Sequence, residues 1–260
     1  MTRRITTKPT ASLAAAALAL LLLQGCATGP SASPADPLEP FNRTMFKFND
    51  GVDRAIVKPV ATVYRDITPS PLRTGVTNFF GNIADVWSLV NNVLQLKAKE
   101  SVETLMRVSI NTGLGFAGVL DIASEMRIER HSEDFGQTLG YWGVPPGPYL
   151  VIPLLGPSSV RDSVGTLVVG YGDLVTQASN VPVRNSLFTL RAVDTRARFL
   201  GAGDVLEEAA LDKYTFTRDI YLQRRNSLVR GQPAAPKEER FDLPEVTPAP
   251  AAEPPAAPAK

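Results

Sequence analysis

Apolar side chains recur every three or four positions through most of the chain. Phe41, Met45, Phe48, Val52 and Ile56 lie on one helical face. The same spacing returns in Leu72, Val76, Phe79, Phe80 and Ile83, then in Val86, Trp87, Val90, Val93 and Leu94. Val102, Leu105 and Met106 continue it, with Val119 beyond a Gly-rich span. Val160, Val164, Leu167, Val168 and Tyr171 form another face, and Leu187, Leu190, Val193, Ala197 and Leu200 the next. Tyr214, Tyr221 and Leu228 mark a last helix that Gly231 closes. Asp36 before Pro37 predicts a helix start and Asp204 an N-cap. The pattern predicts an all-α domain. Rows of alternating ten-residue segments are missing, which argues against a transmembrane barrel. On periodicity alone, these faces read as packing a soluble core rather than meeting a membrane.

One stretch breaks the rhythm. "GYWGVPPGPYLVIPLLGPSS", Gly140 to Ser159, is strongly apolar. Its five prolines, Pro145, Pro146, Pro148, Pro153 and Pro157, remove backbone donors and disfavour both a helix interior and a central strand. The sequence predicts irregular backbone here.

The ends have a different composition. Arg3, Arg4 and Lys8 precede an apolar run from Leu13, which reads as a signal peptide over 1–25 and is too short to span a bilayer. "LQGC" ends it, and Cys26 is the single cysteine. Leu23, Gly25 and Cys26 fit a bacterial lipobox, which makes Cys26 an acylated N-terminus. Acyl chains on that residue would anchor the protein stably. Residues 26–36 read as a tether, 37–231 as the helical domain, and 232–260, rich in Pro, Ala and Glu, as a disordered tail.

Charge is nearly balanced, with 27 Lys and Arg against 26 Asp and Glu, so nothing marks a nucleic-acid-binding face. Catalytic signals are thin. His131, the only histidine, stands beside Glu133 and Asp134, but no G-x-S-x-G nucleophile elbow accompanies it. Asp134 with Gln137 reads instead as a helix cap. One histidine and one lipidated cysteine leave little for a zinc site. "GLGFAG" places Gly113, Gly115 and Gly118 in dinucleotide-motif spacing, yet after a helical pattern rather than a strand. No catalytic residue, metal or cofactor is expected.

Five segments carry a resemblance: "DPLEPFNRTMFKFND", "NFFGNIADVWSLVNNVLQ", "RVSINTGLGFAGVLDIA", "DFGQTLGYWGVPPGPYLVIPLLGPSSVRD" and "YLQRRNSLV". With the lipobox they resemble the MlaA (VacJ) family of outer-membrane lipoproteins over nearly the whole helical domain. The resemblance implies a ring or disc of amphipathic helices in the bacterial outer membrane, anchored by its lipid and facing the periplasm. It implies removal of mislocalised phospholipid from the outer leaflet through an amphipathic channel, with no bond broken. The implied partners are a trimeric porin and the periplasmic carrier MlaC. A non-transporting scaffold or porin accessory, or a lipid hydrolase, would share the anchor without needing a lipid path.

That setting accounts for the proline-rich stretch, because irregular backbone survives at membrane depth only when buried in protein or lining a cavity. Tyr149, Leu150, Val151, Ile152, Leu154 and Leu155 are then candidates for the lipid path. Asn91 and Asn92 are candidate headgroup contacts, whereas Lys97 and Lys99 read as a solvated face.

Overall fold

The computed structural model describes residues 36–203 and 210–231. The signal segment, Cys26, the tether, Asp204 and the tail lie outside the described residues. Helix α1 spans Glu39–Val52 and runs through a π-helical turn, Asp53–Val57, into α2, Lys58–Ile67. Helix α3 (Ser70–Leu94) and α4 (Ala98–Gly113) form an antiparallel pair, turned at Leu96 with φ +59. Short helices α5 (Ile122–Glu125) and α6 (Phe135–Tyr141) follow. Strands β1 (Tyr149–Ile152) and β2 (Gly156–Ser159) form an antiparallel hairpin. Helices α7 (Val160–Gly172), α8 (Val181–Arg198) and α9 (Lys213–Val229) complete the order. Among the described residues the fold is mainly helical and the one sheet is this two-stranded hairpin.

Two local expectations change. The first helix begins at Glu39 rather than at Asp36. Asp36 is fully buried and committed elsewhere: it accepts hydrogen bonds from Asn42 (2.8 Å) and from the Tyr214 hydroxyl. Within the proline-rich stretch eight residues form the two strands of a hairpin. Pro157 is tolerated because β2 is an edge strand, where a missing N–H leaves no ladder partner unpaired. Leu154, at φ +63, and Gly156, at φ +87, turn the chain back.

The other edge, β1, is covered by side chains. The Asn42 side chain donates to the Tyr149 carbonyl (3.0 Å) and accepts from Val151 N–H (2.9 Å). One heptad later, Asn49 donates to the Ile152 carbonyl (3.0 Å) and accepts from Leu154 N–H (2.7 Å). Two carboxamides thus take the place of a third strand and satisfy backbone groups that would otherwise be orphaned. Tyr149 and Val151 pack with Tyr214 in a small apolar core, against Met45, Phe46, Tyr221 and Leu222.

Elsewhere buried polar residues outnumber the few buried apolar ones, Ala61, Phe80, Ala123, Val175 and Leu200. On α3 the buried stripe is Asn82, Asp85, Ser88, Asn91 and Asn92, continued by Gln95 at its C-cap; on α4 it is Thr104, Arg107 and Asn111. The apolar faces read from periodicity point largely outward: Leu72, Val90, Val93, Val102, Leu105 and Met106 are exposed, as are Phe41, Phe48 and Ile56 of the first helical stretch, whereas Phe80, Leu200 and Tyr214 are buried. This overturns the soluble-core reading. Scattered exposed apolar residues are ordinary, but buried polar stripes opposite continuous exposed apolar faces are not. Water would favour the reverse arrangement; acyl chains favour this one.

Helix α3 has 25 residues, which is about 37 Å of helix, yet no described helix is long and apolar enough to cross a membrane alone. Its polar stripe is hidden only by its neighbours. α3 packs on α4, α6 and α8, α6 packs on α7, and 173–180 links α7 to α8, which closes a ring. The α6–α7 contact is close because a Cβ at Gly165 would stand 2.6 Å from Gly136 N.

Candidate functional site

Inside this ring lies a cavity of about 520 Å³. Helix α3 supplies Ile83, Ala84, Trp87, Ser88 and Asn91. Ser132, Glu133 and Asp134 come from the segment before α6, and Gln137 from its first turn. Val169 lines it from α7, Arg191 from α8, and Tyr221, Arg224, Arg225 and Leu228 from α9. The lining therefore combines apolar side chains with amides, carboxylates and guanidinium groups.

The polar part of the lining is fixed by pairing. Arg225 bridges Asp134 (3.0 Å from Nη2 to Oδ1) and Asp162 (2.8 Å), while the Tyr221 hydroxyl donates to Asp162 (2.7 Å). Burial would raise the Asp134 carboxyl, but Arg225 and the cap bond from Gln137 outweigh it and hold it below the usual range. Lys97 Nζ lies 2.6 Å from Glu133 Oε1, and Gln95 donates to the other Glu133 oxygen (3.0 Å) and to Thr138 (3.1 Å). Thr138 in turn donates to Asn91 Oδ1 (2.7 Å). Arg191 pairs with Asp173 at 2.6 Å. Among the described residues Arg224 has no hydrogen-bond or ion-pair partner. It is the cation of this cavity whose charge stays uncompensated.

A second network joins α4 to α3 and to the segment around Asp121 and Ile128. Arg107, 1 % exposed, donates to Asp121 (2.8 and 2.9 Å) and to the Ile128 carbonyl (2.6 Å), with its Nε 3.6 Å from Asp85. Burial pushes the Asp85 carboxyl up. Burial pushes Asp121 the same way, but hydrogen bonds from Ser124 and Asn111 and the Arg107 charge prevail and bring it to about 2.

The sequence candidates separate. Asn91 lines the cavity; Asn92 is buried behind it, donating to Thr104 and to the His131 carbonyl (both 3.4 Å). Tyr149 and Val151 sit in the apolar core, Leu150 and Ile152 are half-buried, and Leu154 and Leu155 are exposed at the hairpin tip. None of these six lines the cavity. Lys97 is held by Glu133, and Lys99 lies 3.7 Å from Glu103. Trp87 reads from the sequence as one residue of a helical face and Glu133 as a neighbour of His131, and nothing in the sequence marks Arg224 or Arg225. The signal available was the polar stripe at helical spacing in "NIADVWSLVNNVLQ".

His131 pairs with Glu103 (2.5 Å) rather than with Glu133 or Asp134. Glu103, Glu129 and His131 bring ligand atoms within 4.8 Å of one another, a cluster able to hold a metal ion that the count of histidines and cysteines overlooked. Asp134 caps α6 as the sequence suggests, accepting from Gln137 N–H (2.9 Å). The glycine motif at 113–118 begins on the last residue of helix α4.

Comparison with known proteins gives a consistent result. The family model for the MlaA lipoprotein matches residues 34–228. The intermembrane phospholipid transport system lipoprotein MlaA of Escherichia coli is 36% identical over 234 residues, covering 87% of this chain and 92% of that one. Its namesake in Haemophilus influenzae is 32% identical over 223 residues, covering 82% and 88%. A solved structure, from work on the structural basis for maintenance of bacterial outer membrane lipid asymmetry, superposes with a TM-score of 0.66 at 33% identity. It covers 75% of this chain and 98% of its own.

Proposed function

The chain belongs to the MlaA lipoprotein family, and from that premise we propose that it moves phospholipid out of the outer membrane through the cavity ringed by α3, α6, α7, α8 and α9. The observation that carries this is the inversion of the fold: apolar outside, polar inside, around an amphipathic cavity. A phospholipid needs apolar contact for its tails and polar contact for its phosphate. Ile83, Trp87, Val169 and Leu228 offer the first, and Asn91 and Arg224 the second. The exposed helix faces suit a position within the outer membrane, with the acyl groups on Cys26 as an added anchor.

No bond need break. His131 is occupied by Glu103, and no hydroxyl among the described residues hydrogen-bonds to its ring. Direction is then set downstream, by a periplasmic carrier of the MlaC type that takes the lipid. A trimeric porin is the fitting membrane partner, because part of the exposed apolar perimeter could rest on another membrane protein; both partners rest on the family resemblance.

The test is to extract the lipoprotein gently, in nonionic detergent, and quantify bound phospholipid and released fatty acid. Intact phospholipid retained by the wild type, and reduced by Arg224→Gln, supports transport. A protein free of lipid points to a scaffold, and released fatty acid to a hydrolase.

A further inference from the structure

A second concave site lies away from the cavity, between the start of α3 and the end of α8. It encloses about 330 Å³, and Ser70, Arg73, Thr74, Thr77, Asp194 and Arg198 line it. Its charges do not balance. The Asp194 carboxylate is engaged by the Tyr64 hydroxyl (3.2 Å), by Thr77 (3.0 Å) and, at 3.5 Å, by Arg198. The Arg73 side chain has no hydrogen-bond or ion-pair partner among the described residues, and its Nε is buried with nothing to receive its proton. Two guanidinium groups therefore face one carboxylate, leaving one positive charge in excess.

A concave site with one guanidinium charge in excess favours an anion. The ligand must be an anion with several acceptor oxygens, since guanidinium groups and hydroxyls are donors in this setting. The first turn of α3 adds partial positive charge, with Pro69 at the cap offering no side-chain acceptor. The sequence neighbours Ile67, Leu72 and Phe199 are 74%, 63% and 55% exposed, so the site opens beside apolar surface.

We propose that Arg73 and Arg198 form a phosphate-binding site separate from the central cavity, of a shape that takes the phosphate group of a lipid at the rim of the ring. Asp194 sets its selectivity: the net charge matches a singly charged phosphodiester better than a doubly charged anion.

The full lipoprotein in nonionic detergent tests this by calorimetric titration, once with inorganic phosphate and once with dihexanoyl-phosphatidylglycerol below its micellar concentration. An Arg224→Gln background weakens the central cavity's contribution, and Arg73→Gln added to it reads the second site alone, so failure there and failure here are distinguishable. Adding Arg73→Gln should weaken binding by about tenfold or more, the worth of a charge-assisted hydrogen bond. Arg73→Lys should restore part of it. Arg73 holds no other group in place, so its replacement leaves the fold's other contacts intact. Loss of the lipid titration, with or without phosphate, assigns the site to a headgroup; loss of the phosphate titration alone assigns it to the free ion. Binding unchanged by Arg73→Gln with both titrants, or no binding to the Arg224→Gln protein at all, overturns the proposal.

Discussion

Arg107 shows how much of this fold rests on single polar side chains. It is essentially buried, and Asp121 supplies two of its hydrogen bonds. Asp121→Asn would leave that guanidinium undercompensated, a loss of about 3 kcal/mol or more, readable as a lower melting temperature. Protonation does the same reversibly. The Asp121 pKa falls from 3.8 to about 2 on folding, so its stabilising contribution is present above the unfolded value. It should fade as pH drops from about 4 towards 2, and the Asn variant should lack that part of the acid transition. His131 makes a contrasting case. His131→Ala removes a partly exposed pair with Glu103 and should leave lipid transport within a few-fold of wild type in a complementation assay. A null phenotype with folded protein would revive a catalytic role.

Among the elements, the hairpin depends on α1. Asn42 and Asn49 each hold one carbonyl and one N–H of β1 and its turn. Asn42→Ala would strand two buried backbone groups at about 1–3 kcal/mol each. Asn49→Ala acts nearer the exposed tip and should cost less. Melting curves of the two variants check the order. Helix positions were legible in the sequence because 3.6-residue periodicity survives whichever way the apolar face points. For the same reason its direction was not legible: Val90 and Val93 read as core residues and are exposed, while Asn91 and Asn92 between them are buried. The hairpin escaped because proline excludes only a paired N–H. An edge strand with carboxamides along its partner needs fewer of those than a central strand does. The buried arginine clusters escaped because their members come from distant segments, as Asp134, Asp162 and Arg225 do.

At the scale of the whole molecule, the exposed apolar faces should hold the protein in a membrane even without its acyl groups. Cys26→Ser should abolish fatty-acid labelling. If that variant is exported, it should still float with phospholipid vesicles in a density gradient; a freely soluble monomer would mean the faces are covered by another part of the chain. The central claim is that lipid passes through the cavity beside α3. Ala84 lines it and is exposed, so Ala84→Trp should fill the path without disturbing packed neighbours. Outer-leaflet phospholipid, measured in cells whose only copy carries this change, is the most direct test. The account predicts that surface phospholipid rises to the level of a deletion strain while the protein stays at wild-type abundance and protease resistance. Normal surface phospholipid with the cavity filled would contradict it.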